Sequence, residues 1–375
     1  MRLNQILTIL FLVLLVPSII KCTTSGLDIT TAEDRPKLFE GYNRDNIGVV
    51  KISKPQLDEN GDPKVDENGT PLYDSVAFVK ADNKWRIASG PYPGKLEART
   101  SDIETRVIDP LGKIETSESS IINTDADETA LASYKLDDKN AVIVTVANPN
   151  SEPIATLLVG RNAGGSELGA NATSGTYVRK DKQKVVVLAD EVLSYETKLD
   201  AWVNKTLLDI AEPKDVTSLT LRNSKGEVAF EREDGDKPWK ASKAPEGVGE
   251  IRESELTSIL GRARYVSAVN FIELGATPPN HGLNTAKVEL VLKTKDGKTY
   301  QLRVGNEVEG KQENYAHISN YDGVLFTLAR YDVDALSKDP KELFDPKKEE
   351  PKDAEPKDAE PKKDEETKKD EEPKK

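Results

Sequence analysis

Val142-Ile143-Val144-Thr145-Val146, Leu157-Leu158-Val159-Gly160, Tyr177-Val178-Arg179 and Val185-Val186-Val187-Leu188 are short, largely β-branched runs that follow one another in the chain. The same order returns further on as Val288-Glu289-Leu290-Val291-Leu292, Leu302-Arg303-Val304-Gly305, Tyr315-Ala316-His317 and Val324-Leu325-Phe326-Thr327-Leu328. Such runs between turn formers read as strands, and Asp296-Gly297 and Asp322-Gly323 between them read as antiparallel hairpin turns. Upstream of each set lies a strand leading to a tryptophan: Ala77-Phe78-Val79-Lys80 before Trp85, and Val228-Ala229-Phe230-Glu231 before Trp239. A helical stretch follows each tryptophan. In the first, Leu96, Ile103, Val107, Leu111 and Ile114 recur near helical spacing, and Pro110 should break or kink the run. In the second, Ile251, Leu256, Ile259, Leu260 and Ala263 share one face. Each set then closes on residues that suggest an amphipathic helix: Leu199, Trp202, Val203 and Leu207 in one, Val333, Leu336 and Leu343 in the other. The pattern predicts an α+β chain with two tandem copies of a ββ-α-ββββ-α unit, at 38–210 and 216–344, each with helices against an antiparallel sheet.

The two ends differ from this middle. Leu3 to Ile20 is nearly all apolar, so residues 1–26 read as a hydrophobic anchor or signal segment. No small-residue cleavage pattern stands at Ile19-Ile20-Lys21-Cys22, which favours a retained anchor. A lipid on Cys22 and a cleaved signal remain as alternatives. Arg2 and the free amino group place the N-terminus inside by the charge rule, so the bulk of the chain is expected outside the cytoplasm, periplasmic or at the cell surface. The tail, 346–375, carries ten lysines and twelve acids with no apolar residue larger than alanine. Nothing in it can offset the entropy lost on folding, so a disordered polyampholyte is expected.

A Leu-Phe-Glu-Gly opening (Leu38 to Gly41), the strand-tryptophan unit, the Leu-Val-Gly strand end, Thr176-Tyr177-Val178-Arg179 and the close from Trp202 through Leu207-Leu208-Asp209-Ile210 together resemble the bacterial domain-of-unknown-function family 4340. The resemblance covers almost everything between the N-terminal segment and the tail. It implies a single-anchor envelope protein, similar in some members to proteins encoded beside ABC-type transporters linked to gliding motility. It brings no catalytic residue with it.

Composition excludes several classes. A net charge of −13 argues against nucleic acid, which needs a basic face. A single cysteine rules out an internal disulfide or a multi-cysteine metal cage. Residues 58–73 hold a near-exact repeat, Asp58-Glu59-Asn60-Gly61-Asp62-Pro63-Lys64-Val65 and Asp66-Glu67-Asn68-Gly69-Thr70-Pro71-Leu72-Tyr73. Its carboxylates invite a calcium reading, but Pro63 and Gly69 occupy the positions where a calcium loop needs Gly and Glu, so a solvated hairpin extension is expected. Gly297-Lys298-Thr299 lacks the upstream glycine of a phosphate loop, since Leu292 stands there. Gly247-Val248-Gly249 has Arg252 in place of the third glycine of a dinucleotide turn. Gly164 to Gly169 misses nucleophile-elbow spacing and reads as a loop. His281 reads as a turn residue and His317 as a strand residue sharing a face with Tyr315 and Ser319; no zinc spacing joins them. Asn171-Ala172-Thr173 and Asn204-Lys205-Thr206 match a glycosylation sequon of little weight in a bacterial chain. The tryptophans are expected in the cores.

No catalytic, cofactor-binding or metal residue is therefore assigned. The expectation is a non-enzymatic, membrane-anchored accessory protein that docks on an envelope partner or an ABC-transporter-type complex. The alternative is a binding module for a small or polymeric envelope ligand in a cleft between the two copies. A deep cleft lined by aromatics favours the alternative, and an exposed apolar patch or bare sheet edge favours docking. A hydrolase is disfavoured for want of a nucleophile-base pair.

Overall fold

The computed structural model describes residues 36–164, 174–272 and 281–347. The expected anchor at 1–26, the glycine-rich loop after Gly164, the sequon at Asn171 and the tail from 348 onward lie outside the described residues. Among the described residues no helix is long and apolar enough to cross a membrane.

The fold is dominated by antiparallel sheet, with few helices. Strands β1 (Val49–Pro55), β2 (Tyr73–Ala81), β3 (Lys84–Ile87), β4 (Ile121–Asn123), β5 (Val142–Ala147), β6 (Pro153–Ala163), β7 (Gly175–Lys180) and β8 (Val186–Ala189) form the first sheet, in the order β3-β2-β1-β5-β6-β7-β8-β4. Strands β9 (Val216–Asn223), β10 (Gly226–Glu231), β11 (Lys240–Lys243), β13 (Val288–Thr294), β14 (Thr299–Glu307), β15 (Glu313–Ile318) and β16 (Phe326–Ala329) form the second, in the order β11-β10-β9-β13-β14-β15-β16. Strand β12 (Val248–Ile251) pairs separately with β17 (Phe344–Pro346). Pro346 is thus paired to Val248, and the folded chain runs past the 344/346 boundary expected from composition.

Register runs in parallel in the two sheets. Val142 faces Val159 and Val159 faces Val178; Val288 faces Val304 and Val304 faces Ala316. A bulge follows Val159 in one and Val304 in the other. There the loop before the preceding strand crosses close over Gly160 or Gly305. Arg161 N donates to Tyr134 O (2.9 Å) and Asn306 N to His281 O (2.8 Å). A Cβ on either glycine would collide with the carbonyl it passes, so the Val-Gly strand end common to both sheets is a demand of close approach.

Of the four helices among the described residues, three bury residues in the inner-face core, and the second packs against the separate cluster on the outer face of the first sheet. Helix α1 runs through Thr100–Ile103, a π-turn at Glu104–Ile108 and Asp109–Leu111, burying Ile103, Val107, Ile108 and Leu111. Pro110 has no N–H to donate, and the chain slips to an i→i+5 turn (Asp109 N to Glu104 O) just before it and ends just after it. Helix α2 (Glu128–Ser133) was not anticipated. Helix α3 (Glu253–Ala263) buries Leu256, Ile259, Leu260 and Ala263, as its spacing predicts, while Ile251 lies in β12. Helix α4 (Arg330–Leu336) buries Val333 and Leu336, and Leu343 closes a following 3-10 turn. Asp332 of α4 pairs with Arg262 of α3.

The helix expected over Leu199–Leu207 is not there. Leu199–Ala201 makes one 3-10 turn, and the chain then runs extended. Its backbone finds partners on both sides: Arg99 N donates to Trp202 O, Asn204 N to Glu97 O, Leu207 N to Val266 O and Ala268 N to Lys205 O. Trp202, Val203, Leu207, Leu208 and Ile210 are all buried. A segment wedged between two halves buries both its sides, so its apolar residues need no helical face. Inner-face residues of both sheets, helices α1, α3 and α4 and this extended segment contribute to one continuous core, with Trp85, Trp202 and Trp239 inside it. A second, smaller core of Ala126, Leu136, Ala141, Leu158, Ala163, Tyr177 and Val186 covers the outer face of the first sheet.

Candidate functional site

Two surface features stand apart from the packed sheets. The first is an arm, residues 56–72, projecting between β1 and β2. The two repeats in it fold alike. Asp58 Oδ1 accepts from Asn60 N (2.8 Å) and Asp62 N (2.9 Å), and Asp66 Oδ1 accepts from Asn68 N and Thr70 N (both 2.8 Å). Gly61 and Gly69 take φ of +87° and +81°, which close these turns. Both carboxyls are held below the usual range because backbone N–H groups donate to the charged form. Three backbone bonds lock the segments to each other: Gln56 N to Leu72 O, Lys64 N to Gln56 O, and Leu72 N to Lys64 O. These bonds tie the arm's two turns together and leave Leu57 (51% exposed), Val65 (46%) and Leu72 (39%) open to solvent. Around them stand Asp58, Glu59, Asp62, Asp66 and Glu67 against a single Lys64. At its base the Tyr73 hydroxyl donates to Asp138 O.

The second feature is a cleft of about 550 Å³ where the two halves meet across the extended segment 204–211. Its walls come from Lys84 and Glu97 on one side and from Arg264, Tyr265, Lys298 and Tyr321 on the other. Lys84 pairs with Glu97 (2.9 Å), and Lys298 with Asp296 (3.2 Å) and Asp209 (3.5 Å). Arg264 Nε donates to Ile210 O (3.3 Å). Burial, with Glu97 nearby, pushes the Tyr321 phenol up to about 12, so it stays a protonated donor. Away from this cleft, Tyr92 pins the halves together. Its hydroxyl donates to Ile272 O and accepts from Leu325 N (3.2 Å).

The residues weighed for chemistry are scattered. Gly297-Lys298-Thr299 is the β13–β14 hairpin turn, and Gly247-Val248-Gly249 leads into β12. His281 packs edge-on against Tyr315 (ring centroids 4.5 Å, planes at 63°) before β13, and His317 lies two residues along β15 from Tyr315; desolvation lowers the pKa of both. Asn204 of the second sequon accepts from Thr206 N at the cleft wall. Among the described residues no group of three His, Cys, Asp or Glu side chains converges to hold a metal ion.

Residues missed from sequence cluster on the outer sheet faces. On the second sheet Glu289 accepts from Arg303 Nε (3.0 Å), Arg222 (3.3 Å) and Gln301. Partial burial would raise its pKa, but donation from Gln301 and Arg303 wins and holds it below the usual range. On the first sheet the same register positions carry Ile143 and Leu158, and Arg179 replaces His317. Arg179 is buried, donating from Nε to Leu136 O (2.8 Å) and from its terminal nitrogens to Gln183 O and Asp138. It ties the 126–141 segment down. The signal was the contrast between Leu157-Leu158-Val159 and the alternating Leu302-Arg303-Val304.

A family model described as Domain of unknown function (DUF4340) matches residues 85–285. The chain belongs to this family. The DUF4340 match opens at Trp85 in the first sheet and runs through the segment that joins the halves into the second sheet, so it takes in Glu97, the 204–211 segment, Arg264 and Tyr265 of the cleft but not Lys84, Lys298, Tyr321 or the arm. Comparison with curated proteins and with solved structures gives no match.

Proposed function

We propose that this chain is a non-enzymatic accessory protein, held at the membrane by its N-terminal segment, that docks outside the cytoplasm on a protein of an envelope or ABC-transporter-type complex. The observation that carries the reading is the arm. Three exposed apolar side chains, Leu57, Val65 and Leu72, stand on a projection that is rigid by its own hydrogen bonds. Burying such residues in a partner is worth roughly 1.5–3 kcal/mol for each one fully covered. The carboxylates around them select what covers them: a protein surface with an apolar groove rimmed by Lys or Arg. An anionic bilayer or a second copy of this acidic chain would be repelled. A partner that reads the arm needs no chemistry from this protein, in keeping with a surface of paired and solvated charges.

The same reading takes the two sheet halves as tandem copies of one unit, each a three-stranded opening, a helix and a four-stranded meander. Matching strand order, bulge position and Val-Gly close approach support it. The first copy then carries two additions, the arm and the 126–141 cover. The test is the triple variant Leu57→Asp, Val65→Asp, Leu72→Asp in the full chain. It should keep the parent unfolding midpoint and lose both co-purification of the envelope partner from native membranes and the function scored by the deletion phenotype. Retention of both, with three charges in the arm, contradicts the reading.

A further inference from the structure

We propose that the cleft between the halves is a binding site for a neutral, hydroxyl-rich ligand, a glycan segment, independent of the docking arm. At about 550 Å³ the cleft falls within the roughly 300–1,000 Å³ common to ligand sites, and both halves and the segment joining them build its walls. Its charges are largely paired. Lys84 is matched by Glu97 and Lys298 by Asp209 and Asp296, while the Arg264 guanidinium is partly used on Ile210 O. An anionic ligand would find one lining cation in excess, Arg264, already donating to Ile210 O, and a cationic ligand would find no surplus of carboxylates. An apolar ligand would need an apolar floor, but Leu207, Leu208 and Ile210 bury their side chains in the core.

What the walls do offer is the chemistry sugars use. Tyr265 is a large aromatic at the cleft, 67% exposed, with the Arg264 guanidinium 5.4 Å from its ring. An aromatic left open in this way costs apolar surface in water, and its face suits the C–H side of a pyranose ring. Asn204 and Asn320 each spend one end of the amide within the protein, on Thr206 N and on Leu207 O, keeping the other for a ligand hydroxyl. The Tyr321 phenol adds a donor that does not ionise near neutrality. Planar amides, ion-paired carboxylate and ammonium groups and one stacking ring can pair both donors and acceptors of sugar hydroxyls.

The full chain is titrated by calorimetry with maltotetraose, cellotetraose and chitotetraose, and with inorganic phosphate as the charged control. Saturable binding of at least one oligosaccharide is expected. Tyr265→Ala, whose thermal midpoint should equal the parent's because the ring is exposed, should weaken it tenfold or more, and Tyr265→Trp should retain it. The Leu57→Asp, Val65→Asp, Leu72→Asp arm variant should bind the same oligosaccharide with unchanged affinity, so either reading can fail without the other. No binding across the three sugars, binding indifferent to Tyr265→Ala, or saturable binding of phosphate alone would overturn the proposal.

Discussion

Leu158 and Arg303 occupy the same register position on the outer faces of the two sheets, and their surroundings differ completely. Leu158 faces Ile143 and lies under the 126–141 segment in a dry second core. Arg303 faces Glu289 in a solvated ladder with Arg222 and Gln301. One sheet is covered on both faces and the other on one. The lesson is that a strand reports its cover in its period: a continuous apolar run where both faces are buried, alternation where one face meets water.

The largest expected effects come from breaking this contrast. Leu158→Arg places an uncompensated charge in the second core and should cost about 3–5 kcal/mol in chemical unfolding. The mirror change, Arg303→Leu, should stay within about 1 kcal/mol, because exposed ion pairs add little, while it enlarges an apolar patch and lowers solubility. Equal costs from the two would dissolve the comparison. Trp85→Ala and Trp239→Ala sharpen it from the inner side. Lys80 faces Trp85 in the β2–β3 pairing, a cation lies over each indole (Lys80 and Arg232), and both rings are buried, so each variant should lose roughly 3–5 kcal/mol.

How much of this was legible follows from the same physics. The strand before each tryptophan, the four later strands of each sheet, the buried tryptophans and the face of α3 stand in the sequence, because their period is local, whereas β1, β4, β9 and β11 are not announced. The cover over the first sheet did not, since α2 has only Ala130 and Leu131 partly packed and no amphipathic run to announce it. The segment after Leu199 shows the apolar spacing of a helical stripe yet runs extended, because it is buried on both sides. The arm was read correctly as a hairpin extension, but its exposed Leu57 and Val65 cannot be told from core residues without the fold. Of the cleft only its place between the halves was anticipated; Tyr265, Arg264 and Lys84 meet across distant parts of the chain.

Smaller effects test finer points of the contrast. Arg179→Ala should cost about 1–3 kcal/mol by leaving the Leu136 carbonyl without its donor, whereas His317→Ala at the matching position should cost clearly less. Differential hydrogen exchange at residues 126–141 would read this directly. In the arm, Asp58 and Asp66 have lowered folded pKa values, so their stabilisation is complete above the ordinary carboxylate range and is lost only as pH falls through the folded values. Amide resonances of Asn60, Asp62, Asn68 and Thr70 should hold their positions through the ordinary Asp range and move only below it. Smallest of all, removing residues 348–375 should leave the unfolding midpoint unchanged, while truncation before Phe344 should lower it by stripping β17 from β12.

The most direct test of the docking account sets the arm against the open polar face. A photo-crosslinking amino acid is placed at position 65 or at position 303 of the full chain in native membranes. The account predicts one adduct of defined mass from position 65, absent at 303 and lost when Leu57→Asp and Leu72→Asp are added. The trapped protein should present Lys or Arg around an apolar groove. No adduct at 65, or the same adducts from both positions, would contradict it.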